Sequence, residues 1–231
     1  MRIWDISPGY LNDRSLLGEH RELHGIVSIL VNKKKGYANH PETLRWVGYE
    51  WALFQRHQLL REEMIVRGFN ERSPVTIDGN HHSWPPKFID VPYIQFALLK
   101  KKYESKPYGR IPLPKTTQEL WANHKYSILA RDPEKYSIIG KRVSRLSSTD
   151  GFNDICIELT ELLRQKPSKG RLKNALEHMW GYVSTYASKD KGRIDKMSEE
   201  ELLRHIQHLA IKHQQPYLVT STALSELCVW V

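Results

Sequence analysis

Residues 12–30 constrain the fold most, because they predict a long amphipathic helix near the start of the chain. Asn12 and Asp13 both suit its N-cap, where a side-chain oxygen accepts a hydrogen bond from a free backbone N–H. Apolar side chains then recur at the spacing of one helical face: Leu16, Leu23, Val27 and Leu30. A helix with such a stripe buries it against other elements, so these residues predict the first helix of a packed domain.

A second face of the same helix carries two arginines and two glycines: Arg14, Gly18, Arg21 and Gly25. Glu22 lies at the edge of this face. Because glycine has no Cβ, the backbone of a polyanion can approach such a face closely. For the helix taken alone, a solvated face is the favoured interpretation.

Helical periodicity continues after this helix. Pro41 opens a long predicted helix that ends at Gly68. One side of that helix is lined by apolar residues: Leu44, Val47, Trp51 and Phe54. A further short helix is expected from Pro92 to Tyr103.

The second half of the chain predicts four or five helices. Thr116 with Glu119, and Ser198 with Glu201, have the capping-box spacing that opens a helix. Two apolar stripes follow: Leu172, Leu176, Met179 and Val183 in one, and Leu202, Ile206, Leu209 and His213 in the other. The expected fold class is therefore all-α.

The chain of 231 residues is long enough for one large domain or two small ones. We expect either two helical domains, 1–110 and 116–231, or one extended helical bundle, with the proline-rich residues 111–115 as the connector. The net charge is +9, of which residues 1–90 carry +1 and residues 91–231 carry +8. Such a basic balance is typical of proteins that bind nucleic acid, although many basic proteins bind none.

The remaining composition predicts a cytoplasmic protein. Cys156 and Cys228 are far apart and lack metal-type spacing, which fits a reducing compartment. The N-terminus is charged within two residues, so no signal peptide is expected. No apolar run approaches the roughly 20 residues that span a bilayer, so no membrane partner is expected.

Two loops are candidate functional segments. The basic loop 33–37 could grip phosphate and stack on a base, or be a solvated turn, and its residues alone favour neither. Adjacent His81 and His82 lack the spaced carboxylates or cysteines of a metal site, so we expect them to lie in a loop. No metal and no cofactor are predicted.

A polar face in the second half is a third candidate. Arg171, Asn174 and His178 share one side of a predicted helix with Gly181. Together with His124 and Lys125, they could form a cationic site for phosphate. Alternatively, His178 and Asn174 cap or cross-link buried helix ends.

The N-terminal part resembles a known enzyme family. The shared motifs are Arg2-Ile3, the run Leu-x-x-Glu-x-Arg-Glu-Leu at 16–23, Lys-Gly-Tyr-x-Asn-His-Pro at 35–41, and Arg-Gly-Phe-Asn at 67–70. Their order and spacing resemble those of the matching motifs in the pyrimidine-dimer DNA glycosylases of the endonuclease V type. The resemblance covers about residues 1–70.

This resemblance implies site residues and a partner. The family nucleophile is the α-amino group of the N-terminal residue, here Met1, and the catalytic carboxylate corresponds to Glu22. The family exposes a small residue before the Arg-Ile pair, whereas here Met1 stands directly before Arg2. DNA contacts are expected from basic and aromatic residues of the first three motifs and of the glycine face: Arg2, Arg14, Arg21, Lys35, Tyr37 and His40. The implied partner is double-stranded DNA with damaged bases.

Residues 116–224 resemble a second family, the YbgA-like domain of unknown function. The matching residues are His124-Lys125, Arg131, Tyr136, Gly140, the series Arg171, Asn174, His178, Gly181-Tyr182, and the closing run 215–219. This resemblance implies no activity.

Three hypotheses follow for the whole chain. The first is a DNA-repair glycosylase with abasic-site lyase activity, acting on ultraviolet-induced pyrimidine dimers through a Schiff base. The second is a nucleic-acid-binding module without catalysis. The third is an accessory to RNA modification, which no local feature of the sequence supports.

Overall fold

The computed structural model describes residues 1–79, 82–187 and 196–231. These residues form helices and irregular segments, with no β-strand among them, so the all-α prediction is confirmed. They divide into two compact units, Met1–Gly109 and Arg110–Val231, called unit 1 and unit 2 below. None of the helices described is long and apolar enough to cross a membrane.

Unit 1 begins with seven residues outside helices and a 3-10 helix, Pro8–Tyr10. Four α-helices follow in the part of unit 1 that the structure describes: α1 (Asp13–Asn32), α2 (Pro41–Trp46), α3 (Glu50–Val66) and α4 (Pro92–Lys102). Asn12 is the N-cap of α1, because its side-chain oxygen accepts from the Ser15 N–H at 2.9 Å. Of the first predicted stripe, Leu16, Leu23 and Val27 are buried and Leu30 is half-buried, and α1 packs on α3, so most of the stripe belongs to the core.

The long helix predicted from Pro41 to Gly68 is wrong in one respect. The chain leaves the helix after Trp46, and Gly48 turns it with a φ of +82° before α3 begins at Glu50. Leu44 and Val47 are therefore exposed rather than packed. The predicted stop is confirmed, since α3 ends at Val66 and Gly68 has the left-handed φ of +79° that glycine adopts readily.

The described residues of unit 2 form five longer α-helices and two of four residues: α5 (Thr117–Leu129), α6 (Pro133–Val143), α7 (Phe152–Leu163), α8 (Lys169–Gly181), α9 (Glu199–Lys212), α10 (Pro216–Val219) and α11 (Ala223–Glu226). α5 is central, since α6, α7, α8 and α11 all pack on it. The two short helices are additional to the four or five predicted, because each is a single turn that periodicity cannot reveal.

The caps and stripes of unit 2 largely follow the predictions. Ser198 and Glu201 form a complete capping box, whereas the Glu119 carboxylate accepts from the Lys115 N–H at 2.6 Å instead of from Thr116. The α8 stripe is buried throughout. In the α9 stripe His213 is exposed and stacks on Tyr186, with ring centroids 4.1 Å apart.

Candidate functional site

The N-terminal segment lies against α1 through two backbone hydrogen bonds. The Arg2 N–H donates to the Glu22 carboxylate, and the Trp4 N–H donates to Glu19 Oε1 at 3.1 Å. Alternate N–H groups of an extended segment point the same way, and Glu19 and Glu22 are one helical turn apart. The pairing therefore aligns the start of the chain along α1.

This alignment brings the chain terminus close to Glu22. Three covalent bonds separate the Arg2 nitrogen from the Met1 α-amine, so these two nitrogens lie within about 4 Å of each other. Met1 and Glu22 are both half-buried. The structure thus places the Met1 amine in the neighbourhood of the Glu22 carboxylate, with the Arg2 N–H as the group that contacts it, at a partly open edge of unit 1.

A buried ion pair between Arg56 and Glu19 fixes the N-terminal segment on α1. Arg56 of α3 donates to both oxygens of Glu19, at 2.7 and 2.9 Å, and to the Ile6 carbonyl at 2.9 Å. Both side chains are almost completely buried. Because bidentate arginine–carboxylate pairs have a fixed geometry, this contact holds α1, α3 and the N-terminal segment in one register.

The Arg2 guanidinium, predicted to contact DNA phosphate, has protein partners here. It pairs with the Asp90 carboxylate and lies over the Trp4 ring, 4.7 Å from its centroid. The side chains of Arg2 and Asp90 are each about one-third exposed. A phosphate at this position would have to replace Asp90 as the partner of Arg2.

The polar face of α1 is open. Arg14 and Arg21 are exposed, and a Cβ added to Gly18 or Gly25 would meet nothing within 4 Å. These residues and Glu22 lie on neighbouring parts of one helix surface. The structure therefore leaves space over the glycines for a ligand backbone.

The basic loop after α1 is also accessible. Lys35 is exposed and the Tyr37 side chain is 71 % exposed. His40 has a structural contact, since its Nδ1 accepts from the Glu42 N–H at 3.1 Å as the N-cap of α2. Two of the three residues predicted in this loop are thus free to meet a ligand in the structure.

The candidate residues of unit 2 occupy contrasting environments. His124 is buried and its Nδ1 contacts the Leu120 carbonyl at 2.8 Å, while burial lowers its pKa to about 4. Lys125 lies over the Tyr126 and Tyr217 rings, at 4.9 and 5.6 Å.

On α8 the three predicted residues differ in exposure, since Arg171 and His178 are exposed and Asn174 is half-buried. Arg171 donates to the Arg131 carbonyl at 2.6 Å, Asn174 is half-buried, and His178 is exposed. One of the two interpretations required His178 to cap or cross-link a buried helix end. Its exposed position contradicts that interpretation for His178. A phosphate site that includes His124 would need access to a residue that is 4 % exposed.

Sequence reasoning missed a histidine cluster in unit 1. Nε2 of His20 lies 3.2 Å from Nε2 of His57 and 3.3 Å from Nε2 of His24. Burial lowers the pKa of all three imidazoles, that of His57 to about 4, so they are neutral at pH 7. The available signal was the spacing of His20 and His24, which places them on one helical face. The approach of His57 from α3 had no local signal.

Of the two adjacent histidines between α3 and α4, His82 is separate from this cluster. The His82 ring stacks on the Trp51 ring, with centroids 5.1 Å apart, and His81 lies outside the described residues.

Comparison with known proteins agrees with both resemblances. Residues 1–77 match the family described as pyrimidine dimer DNA glycosylase, and residues 125–227 match a family described as protein of unknown function (DUF1722). No curated protein and no solved structure matches the chain. The chain therefore combines, in one polypeptide, a segment similar to the pyrimidine dimer DNA glycosylase family and a segment similar to a family of unknown function.

Proposed function

We propose that this protein is a DNA glycosylase with abasic-site lyase activity on ultraviolet-induced pyrimidine dimers in double-stranded DNA. Residues 1–110 form the catalytic domain, with the Met1 α-amine as nucleophile and Glu22 as general acid and base. Residues 116–231 form a second domain that extends the contact with DNA. The observation that carries the proposal is the hydrogen bond from the Arg2 N–H to Glu22, within a segment that matches the glycosylase family.

The amine suits the chemistry. An α-amino group has a reference pKa of about 7.7–8.0, against about 10.4 for lysine, so a larger fraction is a neutral nucleophile at cellular pH. Its nitrogen attacks C1′ of the sugar, and the glycosidic bond breaks with its electron pair leaving on the base. Loss of a proton from nitrogen and opening of the sugar ring then yield a Schiff base.

Glu22 has two roles in this sequence. Its protonated form donates to the ring oxygen as the sugar opens, and its carboxylate later removes a proton from C2′. The electron pair of that C–H bond forms a C2′–C3′ double bond, and the 3′ phosphate leaves, which cleaves the strand. One carboxylate beside the amine is sufficient for both proton transfers.

The DNA contacts follow from the open face of α1. Arg14 and Arg21 neutralise phosphates while the backbone passes over Gly18 and Gly25. Lys35 adds a further phosphate contact, Tyr37 stacks on a base, and His40 orients this loop. Arg2 exchanges Asp90 for a phosphate when the flipped nucleotide enters.

Trapping with borohydride tests the proposal directly, because it reduces a Schiff base to a stable protein–DNA adduct. We expect an adduct on dimer-containing duplex when the chain starts at Met1. A Gly-Ser extension before Met1 removes the adduct, and Glu22→Gln lowers its rate of formation by at least about 100-fold. Glu104→Gln changes an exposed glutamate of unit 1 and serves as the matched control.

The two other hypotheses predict different outcomes. Tight binding to undamaged DNA with no adduct would favour a non-catalytic module and overturn the proposed reaction. Preference for structured RNA over duplex DNA would favour a role in RNA modification. An adduct that survives the Gly-Ser extension would contradict the role of the Met1 amine.

A further inference from the structure

We propose that His20, His24 and His57 bind one divalent transition-metal ion of the zinc type, with Glu71 as the carboxylate beside it. The group joins two helices and one loop of unit 1: His20 and His24 lie on α1, His57 lies on α3, and Glu71 follows α3. The proposal is independent of the reaction proposed for Met1 and Glu22.

The spacing of the nitrogens fits a metal ion. In a tetrahedral zinc site the metal–nitrogen distance is about 2.0–2.1 Å, so two ligand nitrogens are roughly 3.3–3.4 Å apart. The two Nε2–Nε2 distances around His20, 3.2 and 3.3 Å, are close to this value. The ligand atoms of all three histidines lie within 4.8 Å of one another.

Hydrogen bonding within the cluster explains the geometry less well. A ring nitrogen either carries one hydrogen or offers one lone pair, so it makes one strong hydrogen bond along its axis. Nε2 of His20 meets two other Nε2 atoms at similar distances, and at most one of those contacts can be a strong hydrogen bond. A cation accepts all three lone pairs at once.

Glu71 supplies the charge that a divalent ion requires. Its Oε1 lies 3.7 Å from Nε2 of His20, and its side chain is only 3 % exposed. The Ser73 N–H donates to this carboxylate, and Nε of Arg61 lies 3.7 Å from its other oxygen. A small movement of its side chain would make Glu71 a fourth ligand. In its present position the carboxylate is not a ligand, but its negative charge offsets part of the charge of the ion.

The ion is expected to have a structural role. Successive residues of an α-helix are rotated by about 100°, so the histidine side of α1 is nearly opposite the side that carries Glu22. His57 is fully buried and His20 nearly so, while His24 is half-buried and leaves an entry path. The metal would tie α1 to α3 and so stabilise the helix that carries the proposed catalytic carboxylate.

Metal binding by the untagged full-length chain tests this proposal without any activity assay. After removal of metals with a chelator, Zn²⁺ is titrated against a chromophoric competitor, and Co²⁺ is added separately to record the absorption bands of a tetrahedral site. We expect one ion per chain, the Co²⁺ bands, and a rise in Tm of roughly 5–10 °C at Zn²⁺ hundredfold above Kd.

Substitutions locate the ion. His24→Gln changes the half-buried member and should weaken Zn²⁺ binding by more than about 100-fold, while Glu71→Gln should weaken it by about 10–100-fold. His178→Gln, at an exposed histidine of unit 2, should leave binding unchanged. Circular dichroism verifies that each variant is folded. Zinc binding below one ion per chain, or binding that His24→Gln leaves intact in a folded chain, would overturn the proposal.

Discussion

The two units bury charged groups in different ways. In unit 1 the buried carboxylate of Glu19 accepts from the Trp4 N–H and from Arg56. These contacts of a charged group fix residues 1–7, which lie outside helices. In unit 2 the buried Arg131 donates to Glu226 and to the carbonyls of Ser127, Leu163 and Gln165, at 2.6–3.0 Å. The first arrangement positions a chain terminus, and the second caps the carboxyl ends of α5 and α7.

This difference indicates that the two buried ion pairs have different roles. A buried ion pair gains little stability over a well-packed apolar pair, because desolvation offsets the attraction. In unit 2 the cation meets helix C-termini, where the macrodipole also favours it, so a role in stability explains it. In unit 1 the pair holds the segment that begins at Met1, so under the proposed function its role is to position the site.

Removing either buried arginine gives the largest expected effect. Arg56→Met and Arg131→Met should each lower the free energy of unfolding by about 3–5 kcal/mol, because each leaves a buried glutamate without its cation. Denaturant unfolding measures both, with Arg145→Met at an exposed position as the control, expected within about 0.5 kcal/mol of the unchanged chain.

The borohydride adduct then separates the two arginines. Under conditions where both variants remain folded, Arg56→Met should lose the adduct and Arg131→Met should keep it. Loss of the adduct in both would show that the buried pair of unit 1 has no special relation to the N-terminal site.

Acid should weaken unit 2 through His124. Its pKa is lowered from 6.5 to about 4 by burial, so below pH 6.5 the unfolded chain binds a proton that the folded chain does not. Stability is therefore unaffected by this group above pH 6.5 and falls as the pH drops towards 4, by roughly 3 kcal/mol in total.

His124→Gln tests this by removing the titrating group. Denaturant unfolding at pH 7 and pH 4.5 should show a smaller loss of stability in the variant than in the unchanged chain, whatever the stability of the variant at pH 7. An equal loss in both chains would contradict the assignment to His124.

The glycines of α1 give the smallest effect on stability. Gly18→Ala and Gly25→Ala should each raise the free energy of unfolding by about 0.5–1 kcal/mol, since no atom lies within 4 Å of the added Cβ and alanine favours the helix. If DNA passes over this face, the same changes should weaken duplex binding at a fixed salt concentration.

Gly170→Ala is the matched control in unit 2, because it is also helical and open. It should change DNA affinity little. Fluorescence anisotropy with duplex DNA measures all three variants, and unaltered binding by the α1 variants would place the DNA elsewhere.

Much of the helical architecture could be predicted, because its signals are local. The Asn12 cap, the capping box at Ser198 and the stop at Gly68 each involve residues within one helical turn. The prediction for residues 41–68 was wrong because the apolar spacing continued through Gly48, where the backbone turns. Periodicity registers side-chain type and does not register that turn.

The candidate site was predicted in part. The family motifs pointed to Met1 and Glu22, and their roles stay a prediction. The pairing of Arg2 with Asp90 joins residues 88 positions apart, and no spacing in the sequence indicates it.

The sequence by itself determined most of the longer helices, several of their caps, the basic balance and the two family matches, because each depends on residue types at short spacing. Only the tertiary structure decided which distant polar groups meet: Glu22 with the Arg2 backbone, Glu19 with Arg56, and His57 with His20 and His24. The physical reason is that apolar packing of α1 on α3 sets the distance and rotation between these helices. The polar contacts exist only once that packing is in place.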